Sequence, residues 1–184
     1  MLTVVTKKSK TTMTPINNFP TYVFATVNQG RTAKVVEELK RNSQIDCIAP
    51  VTGRYDLVLR LKPSAPEQVY QTVQKIREVS DISATTTQTA FDGINQHVKL
   101  ESQMALGISL LNVGHQPVLN SIKQLSDVPG LVEAFAVPGQ FDIVALWQAK
   151  TAEDIMTTSF DKLTNVSGIV KSETLLAHAP YFTA

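Results

Sequence analysis

The chain carries one tight motif twice. Thr52-Gly53-Arg54-Tyr55-Asp56 runs into the apolar stretch Leu57-Val58-Leu59, and Pro138-Gly139-Gln140-Phe141-Asp142 runs into Ile143-Val144-Ala145-Leu146. Both read glycine, any residue, aromatic, aspartate and then a strand, with the glycines 86 positions apart. Other landmarks recur at similar spacing. Asn28-Gln29-Gly30 matches Asn112-Val113-Gly114 at 84, Ser64-Ala65-Pro66-Glu67 matches Thr151-Ala152-Glu153-Asp154 at 87, and Ile82 matches Ile169 at 87. Such a drifting spacing is what a duplicated unit with small loop insertions leaves. Two copies, each far longer than a solenoid repeat, define a tandem pair of small domains.

A length of 184 residues has room for one medium domain or two small ones. The net charge of +1 provides no global field to attract nucleic acid or an anionic membrane. No apolar run is long enough for a membrane-spanning helix. The start, Met1-Leu2-Thr3-Val4-Val5-Thr6-Lys7-Lys8, places its charges after an apolar stretch too brief for a secretory signal. A single cysteine, Cys47, excludes an intrachain disulfide and points to a cytoplasmic protein.

Residues 1–20 are rich in Ser, Thr, Lys and Asn and read as a solvated tail. The first domain is expected over 21–91. Thr21–Val27 has the β-branched and aromatic content of a strand. Val35, Val36 and Leu39 form a helix stripe. Ile45–Val51 and Tyr55–Leu61 form a hairpin whose tip is Thr52-Gly53-Arg54, with glycine accepting a positive φ. Ser64 and Glu67 predict a capping box for a second helix striped with Val69, Val73, Ile76 and Val79. Ile82–Phe91 is the last strand. Residues 92–104 are polar and read as a linker. The second domain, 105–180, repeats the order: strand Ala105–Leu111, a helix opened by Pro117, a hairpin around Pro138-Gly139, a helix capped by Thr151 and Asp154 and lined by Ile155, Phe160 and Leu163, and strand Ile169–Ala177.

The order βαββαβ, with right-handed crossovers, gives an antiparallel sheet with both helices on one face, a ferredoxin-like plait. The strands are apolar on both faces. Val23, Ala25 and Val27 lie on one side of the first strand with Tyr22 and Phe24 on the other, and Leu106, Ile108 and Leu110 oppose Ala105 and Leu111 in its repeat. Both faces are therefore covered. The expected fold is α+β: two tandem ferredoxin-like units packed sheet to sheet, an intramolecular dimeric α/β barrel.

The hairpin Val51–Leu59, the approach Ile76–Ile82 and a last strand with Ser83, Thr85, Thr86 and Thr87 resemble the effector-binding domain of Lrp/AsnC-type regulators. The resemblance is stronger in the first copy. The second has Pro138 for the threonine, Phe141 for the tyrosine and Lys171-Ser172-Glu173-Thr174 for the threonine run. It implies a small-molecule effector, usually an amino acid, held between domains. Carried across, the implied ligand-binding residues are Thr52, Gly53, Tyr55, Asp56, Thr85 and Thr86 in copy one, and Gly139, Phe141, Asp142, Ser172 and Thr174 in copy two. It also implies further assembly, as a homo-oligomer or with a DNA-binding regulator of the same family. A leader of about 20 residues is too short for that family's helix-turn-helix, so direct DNA binding is not expected.

The motif residues have two chemical readings. Aspartate can pair with an ammonium, and N–H groups around glycine can receive a carboxylate. Equally, glycine makes the turn, aspartate caps its own backbone, and threonine is a good strand former. The three histidines share no metal spacing with one another or with Cys47, so no metal or other cofactor is expected. Cys47 reads as a small buried hydrophobe and Trp147 as packing. The near-absence of polar strand positions favours a non-catalytic sensing and oligomerisation module. The alternatives are a dimeric α+β barrel enzyme, monooxygenase or haem-related, and a purely structural module.

Overall fold

A computed structural model describes residues 18–183. Most of the expected tail, residues 1–17, lies outside the described residues. Phe19 and Pro20 lead into the first strand, and Phe19 packs edge-on against Phe135 with ring centroids 5.8 Å apart.

The first repeat supplies β1 (Thr21–Val27), α1 (Thr32–Leu39), β2 (Ile45–Pro50), β3 (Leu57–Leu61), α2 (Pro66–Arg77) and β4 (Ile82–Thr89). A short strand, β5 (Asp92–Asn95), follows. The second repeat supplies β6 (Ala105–Val113), α3 (Val118–Leu125), β7 (Leu131–Ala136), β8 (Ile143–Ala149), α4 (Ala152–Thr157) and β9 (Ile169–Leu176), followed by β10 (Tyr181–Phe182). The strands make two antiparallel five-stranded sheets, ordered β10-β2-β3-β1-β4 and β5-β7-β8-β6-β9. The chain is an α+β protein with the expected doubled ferredoxin-like plait.

The outermost strands are exchanged. β5 leaves the first repeat and pairs with β7 of the second sheet, while β10 leaves the second repeat and pairs with β2 of the first. Equivalent bonds recur in both exchanges. Phe91 N–H donates to the Ala136 carbonyl at 3.0 Å, and His178 N–H donates to Pro50 at 2.8 Å. The polar stretch 92–104, read as a linker, is thus partly a strand. Its pattern is masked in sequence because an edge strand of four residues shows no apolar alternation.

Three cores result. Tyr22 and Phe24 meet Leu106, Ile108, Leu110 and Phe141 between the two sheets. Val23, Ala25, Val35, Leu39 and Ile76 bury the helices of the first repeat, and Leu111, Ile122, Leu125, Trp147 and Ile155 those of the second. The doubly apolar strands are explained: one face meets helices, the other the opposite sheet. Cys47 is buried, and burial raises its thiol pKa.

Two local expectations are corrected. Ser64 does not cap α2. Ala65 is the N-cap without a side-chain bond, and Pro66 occupies the first turn, so the proline's fixed φ starts the helix instead. Phe160 does not line a helix stripe but is 68% exposed. After α4 the chain widens into a π-helical turn, Thr158–Lys162, which rotates Phe160 off the face that Ile155 and Leu163 bury. The capping box of Thr151 and Asp154 forms as expected.

Candidate functional site

The repeated tips meet at one end of the sheet sandwich. Gly53 and Gly139 adopt φ of 122° and 117°, a region that disfavours side chains. Each tip lies on the last strand of the other repeat. A β-carbon on Gly53 would stand 3.2 Å from Leu175, and one on Gly139 would stand 3.2 Å from Gln88. Tyr55 Oη donates to Gln140 Oε1 at 3.2 Å. Arg54 pairs with Glu173 and lies 5.1 Å from the Phe141 ring centroid. Asp56 Oδ2 accepts the Val27 N–H at 2.7 Å, and Asp142 Oδ2 accepts the Val113 N–H at 2.7 Å. Both aspartates therefore hold the ends of β1 and β6.

The structure brings only part of the sequence-derived set together. Thr52, Gly53, Tyr55 and Asp56 share one end with Gly139, Phe141 and Asp142. Thr86 pairs with Phe24 and so lies on the inter-sheet face. Thr85 pairs with Ala25, whose side chain belongs to the helix-side core, and lines a groove against α2. Ser172 and Thr174 also lie on a helix face, paired with Leu111 and Ser109. Thr174 is bonded at 2.7 Å to both Ser109 and Ser159. The period of two along a strand separates neighbours such as Thr85 and Thr86 onto opposite faces.

A different cluster, not singled out from sequence, sits at another mouth of the inter-sheet space. Arg60 from β3 reaches across the interface. Its Nε donates to Glu133 Oε1 at 2.7 Å, one terminal nitrogen to Glu133 Oε2 at 2.9 Å, and the other to Asp46 Oδ2 at 2.5 Å. Tyr22 Oη donates to Glu133 Oε1 at 2.7 Å, and Asn95 Nδ2 to Oε2 at 3.1 Å. Glu133 is 2% exposed. Five elements from both repeats and the exchanged strand β5 thus converge on one ion-pair network.

Its electrostatics are unbalanced. One guanidinium faces two carboxyl groups. Burial opposes the charge of Arg60, but hydrogen bonds and charges from Glu133 and Asp46 outweigh it and raise the Arg60 pKa. Burial raises the Asp46 pKa above its ordinary value, with the Arg60 charge pulling the other way. Burial and the Glu133 charge hold the Tyr22 phenol well above its usual range. The network borders a cavity of about 360 Å³ lined by Asp46, Arg60, Asn95, Val98, Lys99, Leu100, Val132, Glu133, Phe182 and Thr183. Asp46 Oδ1 and Thr183 Oγ1 are buried there without a hydrogen-bond partner among the described residues. Buried polar atoms are rarely left so.

The repeat shows that this mouth is a local departure. At the 86-residue offset Tyr22 becomes Ile108, Arg60 becomes Leu146 and Asp46 becomes Val132, while Glu133 becomes Cys47. These apolar equivalents stand at the same mouth: Cys47 is the strand partner of Arg60, Leu146 that of Glu133, and Val132 lines the cavity. The available sequence signal was this pairwise contrast: an arginine, an aspartate and a glutamate on strands that are otherwise apolar.

No protein-family model matches the chain, and no curated protein matches it. Solved structures do. A siroheme decarboxylase, NirDL, in complex with an iron-uroporphyrin III analogue superposes with a TM-score of 0.68 at 9% identity, over 90% of this chain and 72% of that one. A mutant chlorite dismutase from Candidatus Nitrospira defluvii superposes with a TM-score of 0.57 at 9% identity, over 89% and 91%. AsnC from E. coli matches at 13% identity over 61% of this chain and 72% of that one, with a TM-score of 0.39. The class that the first two define is the ferredoxin-like dimeric α+β barrel, and at such identities the likeness is one of fold.

The expectation of a non-catalytic chain is corrected by this comparison. The structures that share the fold over about nine-tenths of the chain carry the names of enzymes, siroheme decarboxylase and chlorite dismutase. The mainly aliphatic interface was therefore no ground for excluding catalysis, and one of its mouths holds paired carboxyl groups. The inter-sheet space itself does not fit an iron tetrapyrrole. It is filled by packed side chains, and the three histidines are exposed. Among the interior residues of iron-ligating type, Cys47 and Tyr22 are held protonated by burial, and the Tyr55 hydroxyl is committed to Gln140.

Proposed function

We propose that this chain binds a small cationic or zwitterionic molecule, an amino acid being the simplest, in the cavity at the Arg60 mouth. One observation carries the reading. Asp46 Oδ1 and Thr183 Oγ1 are buried beside the cavity without a hydrogen-bond partner among the described residues, and the Arg60 guanidinium is shared between Asp46 and Glu133. An ammonium supplies donors to both oxygens, and its charge suits the Asp46 carboxylate. Lys99 on the rim suits a carboxylate, and Val98, Leu100, Val132 and Phe182 suit an apolar side chain. In this reading the hairpin tips join the two sheets and the ligand lies elsewhere. The regulator-type role of such a binding event, with its effector and partner, stays part of the proposal.

Calorimetric titration with the amino acids and small primary amines tests it. Asp46→Asn keeps the acceptor for Arg60 and removes the charge, so affinity falls at least about tenfold, a loss of roughly 1.4 kcal/mol. Undiminished affinity in this variant overturns the reading.

A second reading, chemistry on the bound molecule, has one observation in its favour. Asp46 combines a raised pKa with a buried, unpartnered oxygen beside the cavity, the properties of a proton-transfer group. Turnover of a bound ligand by the wild type but not by Asp46→Asn supports it. Recovery of every ligand unchanged after prolonged incubation rejects it.

A further inference from the structure

The two sheets guard their free edges differently. β10 covers one edge of the first sheet and β5 one edge of the second. That leaves β4 and β9 as the outer strands. β9 carries Lys171 and Glu173, the charges with which sheet proteins discourage edge pairing. β4, its equivalent, reads Ile-Ser-Ala-Thr-Thr-Thr-Gln-Thr and has no charge and no proline. An eight-residue uncharged edge, unpaired among the described residues, is a ready template for another strand.

The geometry points to the β4 edge of a second copy of this chain as its occupant, paired antiparallel about a twofold axis through Thr86. The run is self-complementary about that residue. Thr85 then faces Thr87, Ala84 faces Gln88 and Ser83 faces Thr89, which places hydroxyl beside hydroxyl and no like charges in register. The flanking helix matches the same axis. Val73 of α2 lies beside the centre of β4, Arg77 beside its start and Tyr70 beside its end, lining grooves of about 490 and 330 Å³. The twofold axis therefore brings Arg77 of each copy to Tyr70 of the other. Tyr70 is 65% exposed, and Arg77 forms no ion pair among the described residues. A guanidinium over an exposed phenol ring is a favourable partner. The exposed tyrosine, the free arginine and the unguarded strand are all accounted for by one contact. Two sheets joined this way form a continuous ten-stranded sheet, each half still covered by its own second repeat.

Sedimentation equilibrium on the full chain, with and without Thr87→Lys, tests the proposal. Thr87 is exposed on β4, so the lysine leaves the fold intact and guards the edge as Lys171 guards β9. The wild type sediments at twice 20.2 kDa and Thr87→Lys at 20.2 kDa, with matching circular dichroism and melting curves. Tyr70→Ala, a helix-surface change that does not touch the strand, raises the dimer dissociation constant roughly fivefold. A monomeric wild type at about 100 μM overturns the proposal, since useful dimers hold at micromolar concentration. A wild-type dimer that neither variant weakens also overturns it.

Discussion

Asp56 and Asp142 are the residues whose roles the structure makes most specific. Each carboxylate accepts one backbone N–H at 2.7 Å, from Val27 and Val113 in turn. Removing the acceptor leaves a part-buried N–H without a partner, which costs about 1–3 kcal/mol. Asp56→Ala and Asp142→Ala should each lower the melting temperature by a similar amount, roughly 2–12 °C for a chain of this size. Thermal melts of the two variants without ligand check this, and an unchanged melting temperature in either removes the structural role. The pairing was half legible in sequence. The repeat located the aspartates, but the N–H each one accepts lies 29 residues earlier in the chain, beyond any local pattern. Arg60 and Glu133 were less legible still. They stand 73 positions apart, in different repeats, and only the packing of sheet on sheet makes them neighbours.

Asp46 gives the same scale a pH dependence with two opposite signs. Its pKa in the folded chain is raised above the ordinary aspartate value of about 3.9. The folded state then holds this proton more tightly than the unfolded state. The contribution to stability is fully present below the unfolded pKa and is lost as the pH rises through the folded one. Binding of a cation needs the charged form, so affinity is retained at neutral pH and falls as the pH drops through the same window. Titration calorimetry between about pH 4 and pH 8 reads the second effect. Affinity that is flat across this range, or that grows on acidification, contradicts the pairing of the ligand with Asp46.

At the scale of elements, the exchanged strands shape the site. β10 holds only two residues, yet it brings Phe182 and the following Thr183 to the cavity, and Lys40, the residue that caps α1, lies 4.8 Å from the Tyr181 ring centroid. Tyr181 and Phe182 are half-buried, each against a different core. A chain ending at Pro180 loses about 2 kcal/mol of apolar burial, or roughly 4–8 °C in melting temperature. It keeps its three cores and stays folded, but ligand affinity is lost with Thr183. Calorimetry on the truncated chain checks this, and full affinity there would remove β10 from the site. Neither exchanged strand shows in the sequence. Asp92–Asn95 and Tyr181–Phe182 are too short for alternation, and their partners come from the other repeat. Elements with a long apolar stripe or a cap, such as β1 or the Thr151-capped α4, were legible because burial and capping act within a few residues. The cap assigned to Ser64 failed for the converse reason: Pro66 starts the helix by itself.

For the whole molecule, duplication supplies the architecture and its local breakdown supplies the candidate site. The two repeats pack sheet to sheet with equivalent tips, exchanged strands and cores, and the symmetry is broken where Tyr22, Asp46, Arg60 and Glu133 replace an apolar set. The amide-resolved nuclear magnetic resonance spectrum of the full chain, recorded while an amino acid that binds in calorimetry is titrated in, tests the site most directly. The predicted shifts centre on Asp46, Asn95, Lys99 and Thr183, with the hairpin tips at Gly53 and Gly139 unmoved. Shifts centred on those two glycines, with the Arg60 mouth silent, would contradict it.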